Sequence, residues 1–127
     1  MIRTRIFTIL FILMAAGIFV LSSLPAPHQK LPLPQADKVL HFFAFMLLTM
    51  LAYGTLRESK VKGKARIILW AITVGIIYGA LDEIHQFYVP GRECSFWDWL
   101  ADAAGAAIGA IIACKIRFIS RAKSEQN

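Results

Sequence analysis

Four apolar runs, each long enough to cross a bilayer, leave this chain few folds to choose among. The first, "IFTILFILMAAGIFVLSSL" from Ile6 to Leu24, follows the basic flank "MIRTR". At 1.5 Å per residue it spans about the 30 Å of a hydrocarbon core. It exceeds the roughly 7–15 residues of a signal-peptide core, and no A-x-A cleavage site follows, so it reads as an uncleaved helix. The second run covers Asp37 to Leu56, the third Ile67 to about Phe87 and the fourth about Trp99 to Phe118. Between the first two, "SSLPAPHQKLPLPQ" holds four of the five prolines, which withhold amide donors and break helix. Pro90-Gly91 marks a turn between the last two. The expectation is an all-α integral membrane four-helix bundle, formed by residues 1–127 as a single domain with helices at about 6–24, 37–56, 67–87 and 99–118. A hydrophobic content of 57% over 127 residues agrees, being too high for an ordinary soluble domain.

Charge orients the bundle. Of the 14 lysines and arginines, only Lys30, Lys38 and Arg92 fall on one side; the other 11 precede the first helix, fill the 57–66 connection, and occupy and follow the end of the fourth helix. Short cytoplasmic segments are enriched in basic residues, so both termini and the middle loop are expected in the cytoplasm of a bacterial inner membrane. The formal charge of +6 is thereby explained by topology and attraction to anionic lipid, without nucleic acid as a partner.

The carboxylates do the reverse. Asp37, Asp82, Glu83, Glu93, Asp98 and Asp102 gather at the outer ends of helices two to four, leaving only Glu58 and Glu125 on the cytoplasmic side. Charged groups inside a membrane are costly and usually functional. His41 lies one turn after Asp37 and three residues after Lys38, so these share a face of helix two. Helix three carries Gly75, Gly79, Glu83 and, near the same row, Gln86; helix four carries Asp98, Asp102, Gly105 and Gly109. Both GxxxG rows predict close contact between helices three and four. The expected site is an outward-opening ligand-binding cluster of Asp37, Lys38, His41, Glu83, Gln86, Arg92, Asp98 and Asp102, with Arg92, the nearest base in sequence, compensating Glu83. The plainer alternative is that these groups only cap helices and pair with Arg92 and Lys38.

The combination "DKVLHFFAF" (Asp37 to Phe45), "EIHQ" (Glu83 to Gln86), Pro90 with Arg92, and "DWLADAAGAAIG" (Asp98 to Gly109) resembles the VanZ-like family of small polytopic bacterial membrane proteins. The resemblance runs from "SSLP" at Ser22 to Gly109. It implies a four-helix protein of the cell envelope and, for the founding member, antibiotic resistance in the form of tolerance to teicoplanin. Carried over by position, the family's recurring polar residues fall on the same eight positions. Asp102 is a departure, since asparagine is the commoner residue there, and Asp82 and His85 lie outside the shared pattern.

Two functions compete. A binder would hold a membrane lipid headgroup, a lipid-linked cell-wall precursor or a lipoglycopeptide at the outer site. An intramembrane enzyme would use His41 and Glu83 as catalytic acid and base on a lipid or lipid-linked precursor. No HExxH, nucleophile elbow or glycine-rich phosphate loop supports catalysis, and Ser95 lacks an identifiable base. The reading therefore leans away from an enzyme and assigns neither a metal nor a cofactor, while the oligomeric state is left open. Cys94 in the outer loop and Cys114 near the cytoplasmic end of the fourth helix stand about 30 Å apart, too far for a disulfide. Phe96, Trp97 and Trp99 read as an interfacial aromatic belt.

Overall fold

The computed structural model describes residues 2–25, 36–59 and 61–124, the side chains as far as residue 116. Four helices follow one another: α1 Ile2–Ser22, α2 Ala36–Arg57, α3 Lys64–Phe87 and α4 Phe96–Ser124, and no strand occurs among the described residues. All four contain a stretch long and apolar enough to span a membrane. Lys30 and Lys60 lie outside the described residues, as does most of the proline-rich connection.

Each helix begins or ends a little beyond the apolar run that predicted it. α1 starts at Ile2, α3 at Lys64 and α4 at Phe96. The apolar run marks the hydrocarbon crossing, whereas the i to i−4 ladder continues into polar flanks at no cost to the backbone.

α2 and α4 form the closest pair, α3 packs against both, and α1 lies outside on α2 and α3. Within α1 only Ile18 and Ser22 are buried, while Ile9, Leu13, Val20 and Leu21 face outward as lipid-facing side chains should. The intimacy of α2 and α4 comes from Gly105 and Gly109: a Cβ at either would collide with the α2 backbone at Phe42 and Met46. The expected close contact of α3 with α4 is present too, but the α3 glycines alone make it, against α4 side chains. On α3, Gly75 admits Ala106 and the Thr49 hydroxyl, and Gly79 makes room for the Asp102 side chain, which a Cβ would meet at 2.9 Å. The glycines of α4 thus serve α2, and those of α3 serve α4.

Two ends of the bundle differ in chemistry. The end bearing the α1 N-terminus, the α2–α3 connection and the α4 C-terminus is called here the basic end, with an apolar cluster of Ala52, Tyr53, Ile67, Ala71, Ala110 and Cys114 below it. The opposite, acidic end carries the α3–α4 turn. There Arg92 N–H donates to Val89 O at 3.1 Å across Pro90-Gly91, and Gly91 has φ +78°. Pro then Gly with positive φ is the signature of a type II turn, and it leads straight into α4.

Candidate functional site

Three helices deliver one ionisable group each to a common level near the acidic end. His41 projects from the second turn of α2, Glu83 from the last turn of α3 and Asp102 from the second turn of α4. His41 donates through Nδ1 to Asp102 Oδ1 at 2.9 Å, and the same nitrogen stands 3.9 Å from Glu83 Oε1. Asp102 is fully buried and Glu83 is 3% exposed. One donor atom from each of the three lies within 4.8 Å of the others. The ring of Phe45, one turn on from His41, lies nearly parallel to the imidazole and is itself buried.

The second oxygen of Glu83 has a partner of another kind. Ser95 N–H donates to Glu83 Oε2 at 2.7 Å. Ser95 also opens α4, accepting from the amides of Asp98 and Trp99 through its carbonyl and from Asp98 N–H through Oγ at 3.3 Å. Glu83 therefore sits against the N-terminus of α4, where the helix dipole favours a negative charge. Glu83 Oε1 and Asp102 Oδ2 are buried with no hydrogen-bond partner.

Around this centre the other predicted residues separate. Lys38 Nζ reaches Asp98 Oδ1 at 2.9 Å, a pair on the rim with side-chain exposures of 35% and 8%. Asp37, half-buried, occupies the first turn of α2. Gln86 turns toward α1: its Nε2 donates to Asp82 Oδ2 at 2.9 Å, and Ser22 Oγ donates to the same oxygen at 2.9 Å. Arg92 does not compensate Glu83. Its guanidinium donates to the carbonyls of Leu24 at 3.3 Å and Leu21 at 3.1 Å, closing the end of α1.

Asp82 and His85, set aside on sequence, have definite positions. Asp82 is buried as the hub of the Ser22–Gln86 network. Ser23 Oγ spends its proton on Phe19 O at 2.6 Å, so His85 Nε2 is the donor in the 2.9 Å contact between them. The available signal was the spacing Asp82-x-x-x-Gln86, which stacks two polar side chains on one helix face.

A polytopic bundle with ionisable groups buried between three of its helices is the class of protein defined by this fold. The VanZ/LLP1 family model matches residues 3–119, and the chain belongs to that family. It is also 29% identical over 111 residues to an uncharacterized protein of Schizosaccharomyces pombe, covering 87% of this chain and 64% of the yeast protein. The chain thus spans somewhat under two thirds of that relative's length. No solved structure matches.

Proposed function

We propose that this protein is an envelope membrane protein that binds the polar headgroup of an amphiphile at its acidic end. The distribution of basic residues supports an extracytoplasmic position for that end in a bacterial inner membrane, with both termini in the cytoplasm. One observation carries the reading: Glu83 Oε1 and Asp102 Oδ2 are buried acceptors without protein donors. Buried polar atoms are nearly always satisfied, so a bound group bearing hydroxyl or amine donors is the natural complement. Lipid headgroups, lipid-linked wall precursors and lipoglycopeptides all present such donors, and holding one links the site to envelope or antibiotic tolerance. The Lys38–Asp98 pair at the rim would be the first polar contact met from the interface.

A second reading has its own observation. His41, hydrogen-bonded to Asp102 and facing Glu83, is oriented as a general acid or base would be. Substituting His41→Gln separates the two. A binding site retains part of its function with a neutral donor in place, while acid–base catalysis is lost almost completely.

Comparing envelope lipids with and without the protein tests both: an accumulated precursor supports the enzyme, and co-purification of an unchanged amphiphile supports the binder. Cysteine labelling in intact cells checks the orientation. Exposed Cys94 should react with an impermeant reagent and buried Cys114 should not. Labelling from outside of a cysteine placed at Ser124 would reverse the topology.

A further inference from the structure

We propose that His41, Glu83 and Asp102 form a binding site for a divalent first-row transition cation such as Zn²⁺. The site goes beyond headgroup binding and rests on reading the same cluster as one that takes a ligand. Its donor set is one imidazole nitrogen and two carboxylate oxygens, the ligand types that suit zinc and its neighbours, whereas magnesium and calcium prefer oxygen alone.

The geometry is close to what such an ion requires. Ligands about 2.0–2.2 Å from a tetrahedral zinc stand about 3.3–3.6 Å from one another. Here His41 Nδ1 is 2.9 Å from Asp102 Oδ1 and 3.9 Å from Glu83 Oε1, and the three donors fall within a 4.8 Å span. Small side-chain rotations would therefore equalise the separations around an ion. The three residues come from α2, α3 and α4, held by the backbone approach at Gly105 and the space left by Gly79. A site on three packed helices keeps its geometry better than one on a loop.

The unpartnered atoms make the case for a cation. Glu83 is 3% exposed and its Oε1 has no hydrogen-bond partner, yet it is the oxygen facing His41. Asp102 is fully buried, with Oδ1 facing His41 and Oδ2, which lies against Gly79, also unpartnered. Among the described residues only the His41 imidazole faces them, for Lys38 is committed to Asp98 and Arg92 to the end of α1. A divalent ion would neutralise both carboxylates at once. His41 Nδ1 would then give up its proton, to Nε2 of the neutral ring or to solvent, and replace its hydrogen bond with Asp102 by a bond to the metal, and the positions left open would accept water or an oxygen of the headgroup. Three protein ligands with an open fourth position is the pattern of reactive rather than purely structural zinc sites.

The experiment uses the full chain carrying Cys94→Ser, purified in detergent through a tag without histidine, stripped with chelator and then given Zn²⁺ alone. Elemental analysis after desalting should find about one Zn²⁺ per chain, with a raised melting temperature. Glu83→Gln and Asp102→Asn should each weaken binding at least about tenfold, since even residues that only support a metal ligand are worth roughly that. His85→Gln, in the neighbouring polar network, should bind as the parent does. Co²⁺ in place of Zn²⁺ should give a d–d spectrum without a thiolate band, which excludes Cys114 as the ligand. Folded parent protein that retains no Zn²⁺ and shows no melting shift overturns the site, as does equal retention by both carboxylate variants. Should a variant not fold, the parent's melting shift and Co²⁺ spectrum decide alone. Amphiphile co-purification in the presence of chelator is scored separately, so headgroup binding can survive loss of the cation site, and the reverse.

Discussion

At the basic end Ala52, Tyr53, Ile67, Ala71, Ala110 and Cys114 meet in an apolar cluster, while about three turns away along α4 the same helices meet through His41, Glu83, Asp102, Lys38 and Asp98. Lipid tails are as apolar as the first cluster, so burial from lipid contributes little there and close packing must supply the association. At the acidic end each group instead depends on a particular partner, because a lone charge is costly in that environment. Packing therefore sets how near the helices come, and the polar contacts set which groups meet at the acidic end.

The largest effect expected along this divide belongs to the packing that both ends share. Gly105→Leu would drive a side chain into the α2 backbone at Phe42, where no rotamer change relieves the clash. Overpacking of cores costs about 1–3 kcal/mol when side chains yield, and more is expected against backbone. The variant should give essentially no folded protein in detergent size-exclusion profiles. Gly17→Leu is the contrast, since nothing lies within 4 Å of a Cβ there, and it should elute as the parent does. Equal behaviour of the two would mean that α2 and α4 do not approach as described.

The helix count was legible because apolar length and proline placement are one-dimensional signals. The partner of each glycine row was not. A GxxxG row shows that a helix face is smooth, but the rotation of that helix in the bundle decides what lies against it. Both rows were read as bringing α3 and α4 together; Gly79 does face Asp102 of α4, whereas Gly105 faces Phe42 of α2.

Next in size is the coupling among the buried charges. Removing one partner of a buried pair costs about 3–5 kcal/mol because the other is left uncompensated. His41→Leu and Glu83→Gln should each approach that loss, and the double variant should cost clearly less than their sum. A parallel cycle of Glu83→Gln with Arg92→Gln should be additive, since Arg92 serves α1. At the apolar end Ile67→Val should cost only about 0.5–1.5 kcal/mol. Thermal unfolding of all variants in one detergent makes the comparison. Coupling to Arg92 in place of His41 would dissolve the distinction between the buried triad and the helix-closing arginine.

The site itself was half legible. That carboxylates from three segments gather at one level follows from where they fall relative to the apolar runs. Glu83 and Asp82 show why the rest was hidden: neighbours on a helix point about 100° apart, so one turns to α2 and α4 while the other turns to Ser22 of α1. Arg92 was matched to Glu83 by nearness in sequence, which a turn readily overrides. Ser22→Ala, removing the α1 contact to Asp82, should cost between about 0.6 and 2 kcal/mol, the range for a hydrogen bond between membrane helices. A loss as large as that of His41→Leu would mean that the Asp82 network, not the triad, holds the acidic end together.

The smallest effect should come from the rim. Lys38 Nζ and Asp98 Oδ1 are 2.9 Å apart, but the lysine side chain is 35% exposed, so water and salt screen the pair. Exposed ion pairs are worth about 0.2–1 kcal/mol, and a long flexible lysine loses entropy when held. Lys38→Met should therefore lower the melting temperature only slightly, and the difference from the parent should shrink further as salt rises. The same variant should weaken the proposed headgroup binding more than it weakens folding, because the pair stands where a ligand would arrive from the interface. Measuring melting at low and high salt beside amphiphile co-purification separates the two. A large, salt-insensitive loss of stability would place Lys38 with the buried triad and move the boundary between the dry and wet parts of the acidic end outward by a full helical turn.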